Sequence, residues 1–408
     1  PAWRSCADPC VWMVESLMDD RRNATATGAG GALRVVPVHD GAALEAFVAL
    51  PWAIHARSPL WVPPLRAQDK ALLTPGKHPF WNAARRELFL ALRGEDPVGR
   101  IAAIVDDNHN AYARERCGAF GFFECRNDRP AAHALFAAAR DWLSAQGMDF
   151  MRGPINPSTN YTCGMLVDGF DHPPAIMMPW NPPYYAELAE SWHLRKEQDL
   201  FAYLIERERL HLPQWLRDEI ARIKAEARFT RRSSRRATLA EDIRIMLDLY
   251  HESWSQNWGF TPLPPAEADA LVRDLKTYLE PDFFVLFFHR GIPAAGMVAL
   301  PDFNPLLKRL NGRIGLAAPW HFWKARKEIR GNYRIILFGI RPEFRLMGLP
   351  LLLLDYMLEQ AAAHPDFKRV EGSWVLEDNT AIDDLIEDFS GRITKRYRLY
   401  RRDIAEKI

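Results

Sequence analysis

Directly before a run of leucines that can form a helix lies the turn Arg345-Leu346-Met347-Gly348-Leu349-Pro350, and this arrangement can hold an anion. The first N–H groups of a helix have no partner inside it, and the helix dipole draws negative charge to them, so a pyrophosphate suits the position. Pro350 removes one N–H, at a place where that N–H has no intrahelical acceptor. The same residues also describe a plain helix start beside a glycine. Two further stretches set polar groups among apolar ones. Asn156 to Tyr185 carries Tyr161, Asp168, His172 and Tyr184 among Met, Trp and prolines, and a long ordered loop of this kind is either functional or a packing element. Tyr250 to Leu263 offers His251, Glu252, Asn257 and Trp258 near a helix end, where a histidine equally suits a surface or a satisfied core position. Glu371 can accept a proton, and Tyr397 or Tyr400 can donate one; burial would raise a glutamate towards that task. Cys6 and Cys10 form a lone CxxxC without a second pair, so no metal site is expected. The Arg231, Arg232, Arg235, Arg236 cluster has no interleaved aromatics and reads as a solvated turn rather than a nucleic-acid site.

These residues need a scaffold, and the chain repeats one. Glu87 to Leu92, a turn at Gly94 and Val98 to Ile104 form a hairpin that recurs at Phe283 to Phe288, Gly291 and Ala294 to Leu300, with Gly94 and Gly99 matched to Gly291 and Gly296. Each half then reads strand, polar turn, helix, strand. The first has Phe120–Glu124, Ala131–Gln146 and Asp149–Gly153; the second has Arg334–Ile340, Leu351–Ala363 and Arg369–Trp374, matching Arg126 to Arg345, Gly153 to Gly372 and Asn160 to Asn379. An insertion in the second half falls between Pro301 and Asn332. The expected division is a poorly ordered leader at 1–31, a first domain at 32–205, a linker at 206–227 and a second domain at 228–408. In the linker, Trp215, Ile220, Ile223 and Ala227 fall at helical spacing.

With 408 residues, 48% hydrophobic and 26% charged, the chain can bury more than one core and is no disordered or fibrous protein. A net charge of +1 gives no field that demands nucleic acid. Five cysteines without regular spacing point to a reducing compartment. Residues 1–32 do not read as a secretory signal, and no apolar run is long enough to span a bilayer. A cytoplasmic protein, with peripheral contact to the inner membrane, is expected.

The segment RIILFGIRPEFRLMGLPLLLLDYMLEQA, from Arg334 to Ala361, resembles the coenzyme A-binding core of GNAT-type acyltransferases, whose turn reads Q/R-x-x-G-x-G/A. Val370 to Ile404 looks like the remainder of that fold. The resemblance implies two tandem α/β domains, each a mixed, mostly antiparallel twisted sheet flanked by helices. It implies that Phe338, Gly339 and Ile340 form the strand edge for the pantetheine amides, that Arg345 to Pro350 takes the pyrophosphate of acyl-CoA, and that Asn379 helps set the thioester. Pro350 departs from the family's last small residue. The family's tyrosine seven residues past the Asn is Ile386 here, which shifts the proton donor to Tyr397 or Tyr400. The first half has no Gly in its turn and places Asp128 where a phosphate would lie, so acyl-CoA is expected in the second half only. Glu371 is the expected base, with His251 next, and Tyr161, Asp168, His172, Tyr184, Asn257, Trp258 and Trp374 are assigned to the acceptor.

The wider pattern is similar to a bacterial group of double GNAT-like proteins that includes ceramide synthases, carried by PLWVPPL at Pro59–Leu65, VGRIAAI, LVDGFDHPP and NWGFTPL. The resemblance implies transfer of a fatty acyl chain from coenzyme A to the amine of a long-chain base. A soluble or cell-wall amine, or acyl-CoA binding without catalysis, are the alternatives. Leu316, Trp320, Phe322 and Trp323 among Arg313, Lys324, Arg326 and Lys327 suit either a membrane interface or an amphipathic packing helix.

Overall fold

The computed structural model describes residues 31–406; the expected leader, apart from Gly31, and the Cys6/Cys10 pair lie outside them. Among the described residues, fifteen strands and twelve α-helices fall into two successive passes. The first pass contains β1 (Leu33–Pro37), α1 (Gly41–Ile54), α2 (Arg66–Leu72), β2 (Ala84–Arg93), β3 (Asp96–Asp106), α3 (Asp107–Ala113), β4 (Cys117–Cys125), α4 (Arg129–Ala145) and β5 (Phe150–Gly153). It continues through β6 (Ile155–Asn156), β7 (Thr162–Cys163) and β8 (Met165–Asp168) to α5 (Tyr184–Glu190) and β9 (Arg195–Glu206). After the linker helix α6 (Gln214–Ala225), the second pass has β10 (Thr230–Ser233), α7 (Leu239–Trp254), α8 (Pro265–Tyr278), β11 (Phe284–His289) and β12 (Ile292–Pro301). The helices α9 (Asn304–Leu310) and α10 (Ala318–Gly331) fill the insertion, followed by β13 (Asn332–Ile340), α11 (Leu349–Ala363), β14 (Arg369–Leu376), α12 (Thr380–Asp388) and β15 (Arg392–Asp403).

The hairpins recur one residue away from the glycine match. Arg93 pairs with Asp96 and His289 with Ile292, which aligns Pro97 with Pro293 beside equivalent bulges. Gly99 and Gly296 therefore face opposite sides of the sheet: a Cβ on Gly99 would meet Leu135 of α4 at 2.7 Å, whereas one on Gly296 would meet Met246 of α7 at 2.5 Å. A slip of one residue reverses every side chain on a strand, and sequence similarity between two glycines cannot detect it. The linker face also differs from the expected one, since Leu216, Ile220 and Ile223 are buried and Trp215 is exposed.

Thirteen strands form one sheet in the order β1-β2-β3-β4-β5-β15-β9-β14-β13-β12-β11-β10, with β8 also on β15. It is mixed: β4 runs parallel to β5 and β13 parallel to β14, and the rest is antiparallel. Both parallel pairs part after three or four residues. β13 matches β14 only from Asn332↔Arg369 to Ile335↔Gly372, and the register against β12 slips between Leu337 and Ile335. In the first half β4 leaves β5 after Ala119 and slips against β3 between Gly121 and Glu124. A bulge twists its strand, and here it turns each strand away from its parallel neighbour, which opens a wedge.

The terminal strands are exchanged. β9, at the end of the first pass, pairs with β14 of the second, and β15, at the end of the second pass, pairs with β5 of the first. The two lie side by side and weld both halves into one sheet. No described helix is long and apolar enough to cross a membrane.

Candidate active site

The turn before α11 has the geometry of an anion cradle. Gly348 is its N-cap at φ +81°, and the N–H groups of Leu346, Gly348 and Leu349 find no acceptor among the described residues. The side chains serve other ends. Arg345 donates to the Ser253 carbonyl at 2.8 Å, Leu349 is buried, and Leu346 is fully exposed. Gly348 is held to glycine by its φ and by the linker helix, since a Cβ would lie 2.5 Å from Ile223.

In the first half the equivalent places are filled by the chain itself. Asp128 caps α4, accepting from the Ala131 N–H at 3.1 Å and from Arg93 at 2.5 and 2.9 Å; the Arg93 hydrogen bond holds its carboxyl below the usual carboxylate range. The parted edge of β4 is also occupied. Tyr184 donates to the Cys125 carbonyl at 3.0 Å, the Tyr185 hydroxyl accepts from the Cys125 N–H at 3.0 Å, and Asn156 accepts from the Phe122 N–H at 2.5 Å. Tyr184, expected at the acceptor, thus closes the first wedge. On the second wedge, Trp254 Nε1 donates to the Phe338 carbonyl at 3.1 Å.

Where β13 and β14 part, the sheet carries buried charge. Glu371 is 4% exposed and Lys395 3%, and their charged atoms lie 2.6 Å apart. They meet across two strands because the residue between them on β9, opposite both Ser373 and Lys395, is the small Ala202. Arg334, opposite Glu371 in the parallel register, donates to Ser373 Oγ at 2.9 Å and to the Ile176 carbonyl at 3.0 Å, and its guanidinium lies 4.7 Å over Trp374. Lys395 also donates to the Pro173 carbonyl at 3.1 Å, so the loop after β8 covers the cluster. Burial pushes the Asp302 carboxyl up to about 6, and Glu371's charge adds to the effect. Two donors in this neighbourhood are buried without a partner among the described residues, the Tyr397 hydroxyl and Trp374 Nε1. Burial pushes the Tyr397 hydroxyl well above its ordinary value, so it stays a donor.

Glu371, Trp374 and Tyr397 are thus together as assigned, but Glu371 is ion-paired rather than free. Arg334, Ser373, Lys395 and Asp302 were not singled out, and only the exchange of β9 and β15 brings Lys395 to Glu371. Asn379 stands at the start of α12 without a side-chain capping bond. His251 is exposed on the last turn of α7, its ring 5.5 Å from Phe260. Tyr161 donates to Glu267 at 2.5 Å, Asp168 is exposed at the end of β8, His172 is half-buried beside Asp171, and Trp258 lies 5.2 Å under the Arg152 guanidinium. Asn257 is half-buried on the loop after α7. His109, Glu115 and Cys117 approach within 4.8 Å of one another, yet the cation place is taken, since Arg152 donates to Glu115 and Glu197 at 2.8 Å each. Burial also pushes the Cys117 thiol up to about 12, which disfavours a thiolate ligand.

No family model matches the chain. Among solved structures it is similar to a tandem GNAT protein from the clavulanic acid biosynthesis pathway, with a TM-score of 0.54 and 13% identity over 92% of this chain and all of the other. It is also similar to the GCN5-related glucosamine N-acetyltransferase region of a fungal GH3 β-N-acetylglucosaminidase, with a TM-score of 0.54 and 12% identity over 93% of this chain and 39% of the other. At these identities the likeness establishes the fold. Two curated relatives are closer in sequence. Protein YghO of Escherichia coli is 32% identical over 371 residues, 88% of this chain and 93% of its own. The bacterial ceramide synthase of Caulobacter vibrioides is 33% identical over 377 residues, 91% of this chain and 97% of its own. With the tandem GNAT fold and the buried site at the second wedge, this similarity makes the chain an N-acyltransferase belonging to the family of the Caulobacter bacterial ceramide synthase.

Proposed function

We propose that the second half transfers a fatty acyl group from coenzyme A to the amine of a long-chain base. One observation carries the reading: at the mouth of the β13/β14 wedge, a buried Glu371–Lys395–Arg334 cluster lies beside two partnerless donors, Tyr397 and Trp374. The free N–H groups before α11 would hold the pyrophosphate, and the wedge would admit the pantetheine arm, with a pantetheine amide replacing Trp254 at the Phe338 carbonyl. The amine nitrogen bonds to the thioester carbon, and the C–S bond breaks. Tyr397 and Trp374 are placed to hydrogen-bond the oxygen on which charge develops. Glu371 accepts the amine proton, directly or through water, with Lys395 holding the carboxylate in place, and then returns that proton to the departing sulfur, which leaves as the thiol.

The acceptor's character is supported by α10 and the residues before it. Ile314, Leu316, Trp320, Phe322 and Trp323 are all exposed, and Trp320 and Trp323 stack at 5.1 Å under Lys324 and Arg326. Aromatics favour the headgroup region, and each nearby cation adds about 1 kcal/mol on anionic lipid. The name of the Caulobacter relative agrees with a lipid amine. The test is incubation with a long-chain acyl-CoA and a long-chain base, with mass spectrometry for the amide. Amide from wild type and little from Glu371→Gln supports the reading; amide only from short soluble amines sinks it. Trp320→Ala with Trp323→Ala should weaken binding to anionic vesicles and slow long-chain acceptors more than short ones.

A further inference from the structure

The groups assigned to the reaction are closed over. Glu371, Lys395, Arg334 and Tyr397 are all buried, so a long-chain amine reaches them only if something that covers them moves. The cover is a strap of the first half, residues 173–178, on the loop between β8 and α5. Its carbonyls are taken by three elements of the second half: Pro173 by Lys395 of β15 at 3.1 Å, Pro174 by Asn304 of α9 at 2.8 Å, and Ile176 by Arg334 of β13 at 3.0 Å. Ser373 Oγ also reaches Met178 Sδ at 3.5 Å. No helix or strand runs through residues 169–183, so these anchors, and not a backbone ladder, hold the strap down. Segments held in this way open at the lowest cost.

Two of the anchors belong to the charged cluster itself, and the third does not. Asn304 is the buried first residue of α9. It stands just inside the neck of the insertion, where the Asp302 N–H donates to the Asn332 carbonyl at 2.8 Å and the Asp302 carboxylate accepts from the Asn304 N–H at 3.0 Å. Beyond the neck, Arg309 of α9 donates to Glu328 of α10 at 2.8 Å, and the pair carries the exposed Leu316, Trp320, Phe322 and Trp323. The tip of the insertion rests on the first half, where Trp52 donates to Asn311 at 2.9 Å, the Arg66 N–H to the Gly312 carbonyl at 3.0 Å, and Lys308 to the Pro59 carbonyl. The two side-chain ties are exposed, and an exposed hydrogen bond exchanges readily for one to water or a lipid headgroup. A ligand shifts an equilibrium only by binding one state better than the other. Docking of the aromatic and cationic face on lipid competes with the ties at the tip and so favours a displaced insertion, and a displacement of about 1 Å at Asn304 takes its 2.8 Å bond out of range.

We infer that the strap is the acceptor gate and that an anionic lipid surface opens it through α10 and Asn304, so that lipid activates the enzyme as well as presenting its substrate. This rests on the amine-acylation reading above. The test gives the full chain an acyl-CoA and a short, water-soluble 1-alkylamine, which needs no delivery from a membrane, with and without vesicles of equal parts phosphatidylglycerol and phosphatidylcholine. Vesicles should raise wild-type turnover about tenfold, a usual size for coupling between two sites. Asn304→Ala keeps the N–H that Asp302 accepts and removes the donor to the strap. Without vesicles it should turn over roughly three- to tenfold faster than wild type, as loss of one hydrogen bond from the closed state implies, and vesicles should add correspondingly less. Hydrogen exchange follows the gate without turnover: the amides of residues 175–178 should exchange faster in wild type once vesicles are added, and faster in Asn304→Ala without them. Turnover and exchange that ignore vesicles, or a vesicle response unaltered in Asn304→Ala, overturn the gate. A response that follows protein concentration instead of lipid also overturns it and assigns the α10 face to a second copy of the chain. If no amine is acylated while exchange responds as stated, the gate stands and the transferase reading falls.

Discussion

Tyr397 separates chemistry from folding more cleanly than its neighbours. Its hydroxyl bonds to nothing described, so Tyr397→Phe should leave thermal stability within about 0.5 kcal/mol, while loss of a donor to developing charge should lower kcat about 10²-fold. A large drop in melting temperature, or unchanged kcat, would remove the hydroxyl from the reaction. Glu371→Gln is less clean, since it leaves Lys395 as a buried unpaired charge, at a cost of about 3 kcal/mol. Asp302 adds a pH dependence. Its folded carboxyl titrates near 6 and its unfolded one near 3.8. Between those values the native state binds the extra proton, so stability falls as pH rises through the window and levels off above it, by about 3 kcal/mol in all. Asp302→Asn should therefore flatten that fall, raising stability at pH 7 relative to wild type and giving little advantage below pH 4, as denaturant midpoints across pH would record. At this scale the sequence was partly legible. Glu371, Trp374 and Tyr397 stand out by type and strand, but Lys395 and Arg334 look like any alternating strand residues until their neighbours are known.

The elements themselves were largely readable, because apolar alternation and helical spacing are local signals. The strand at Arg369–Trp374 needed only two more residues, and the helix at Leu351–Ala363 begins two residues earlier, at Leu349. Relations between elements were less so. The hairpin match was one residue off because glycine recurs for different reasons in the two halves, and the linker's inward face was misjudged because Trp215 is apolar yet exposed. Gly348 illustrates how two demands share one position. Gly348→Ala should cost about 1–3 kcal/mol from its positive φ and its clash with Ile223. In a double-mutant cycle, Ile223→Ala should recover part of that loss. Strict additivity of the two would show that the linker helix does not set the residue. Gly348→Asp should abolish coenzyme A binding, and a melting temperature measured beside it separates that loss from unfolding.

At the scale of the molecule, exchange of β9 and β15 was illegible, since either strand could complete either half by pattern alone. The exchange makes a mechanical statement: neither half holds its own closing strand, so calorimetry should give one unfolding transition rather than two, and each half expressed alone should fail to form a stable monomer. Two well-separated transitions would contradict it. The exchange also ties the two halves chemically. The first half fills its helix start with Asp128 and its wedge with Tyr184 and Tyr185. Lys395 lies on a strand whose neighbours, β5 and β9, both belong to the first half. A mutation deep in the first half is therefore felt through β5 and β9 at Lys395 and the Glu371 cluster, far from it in sequence.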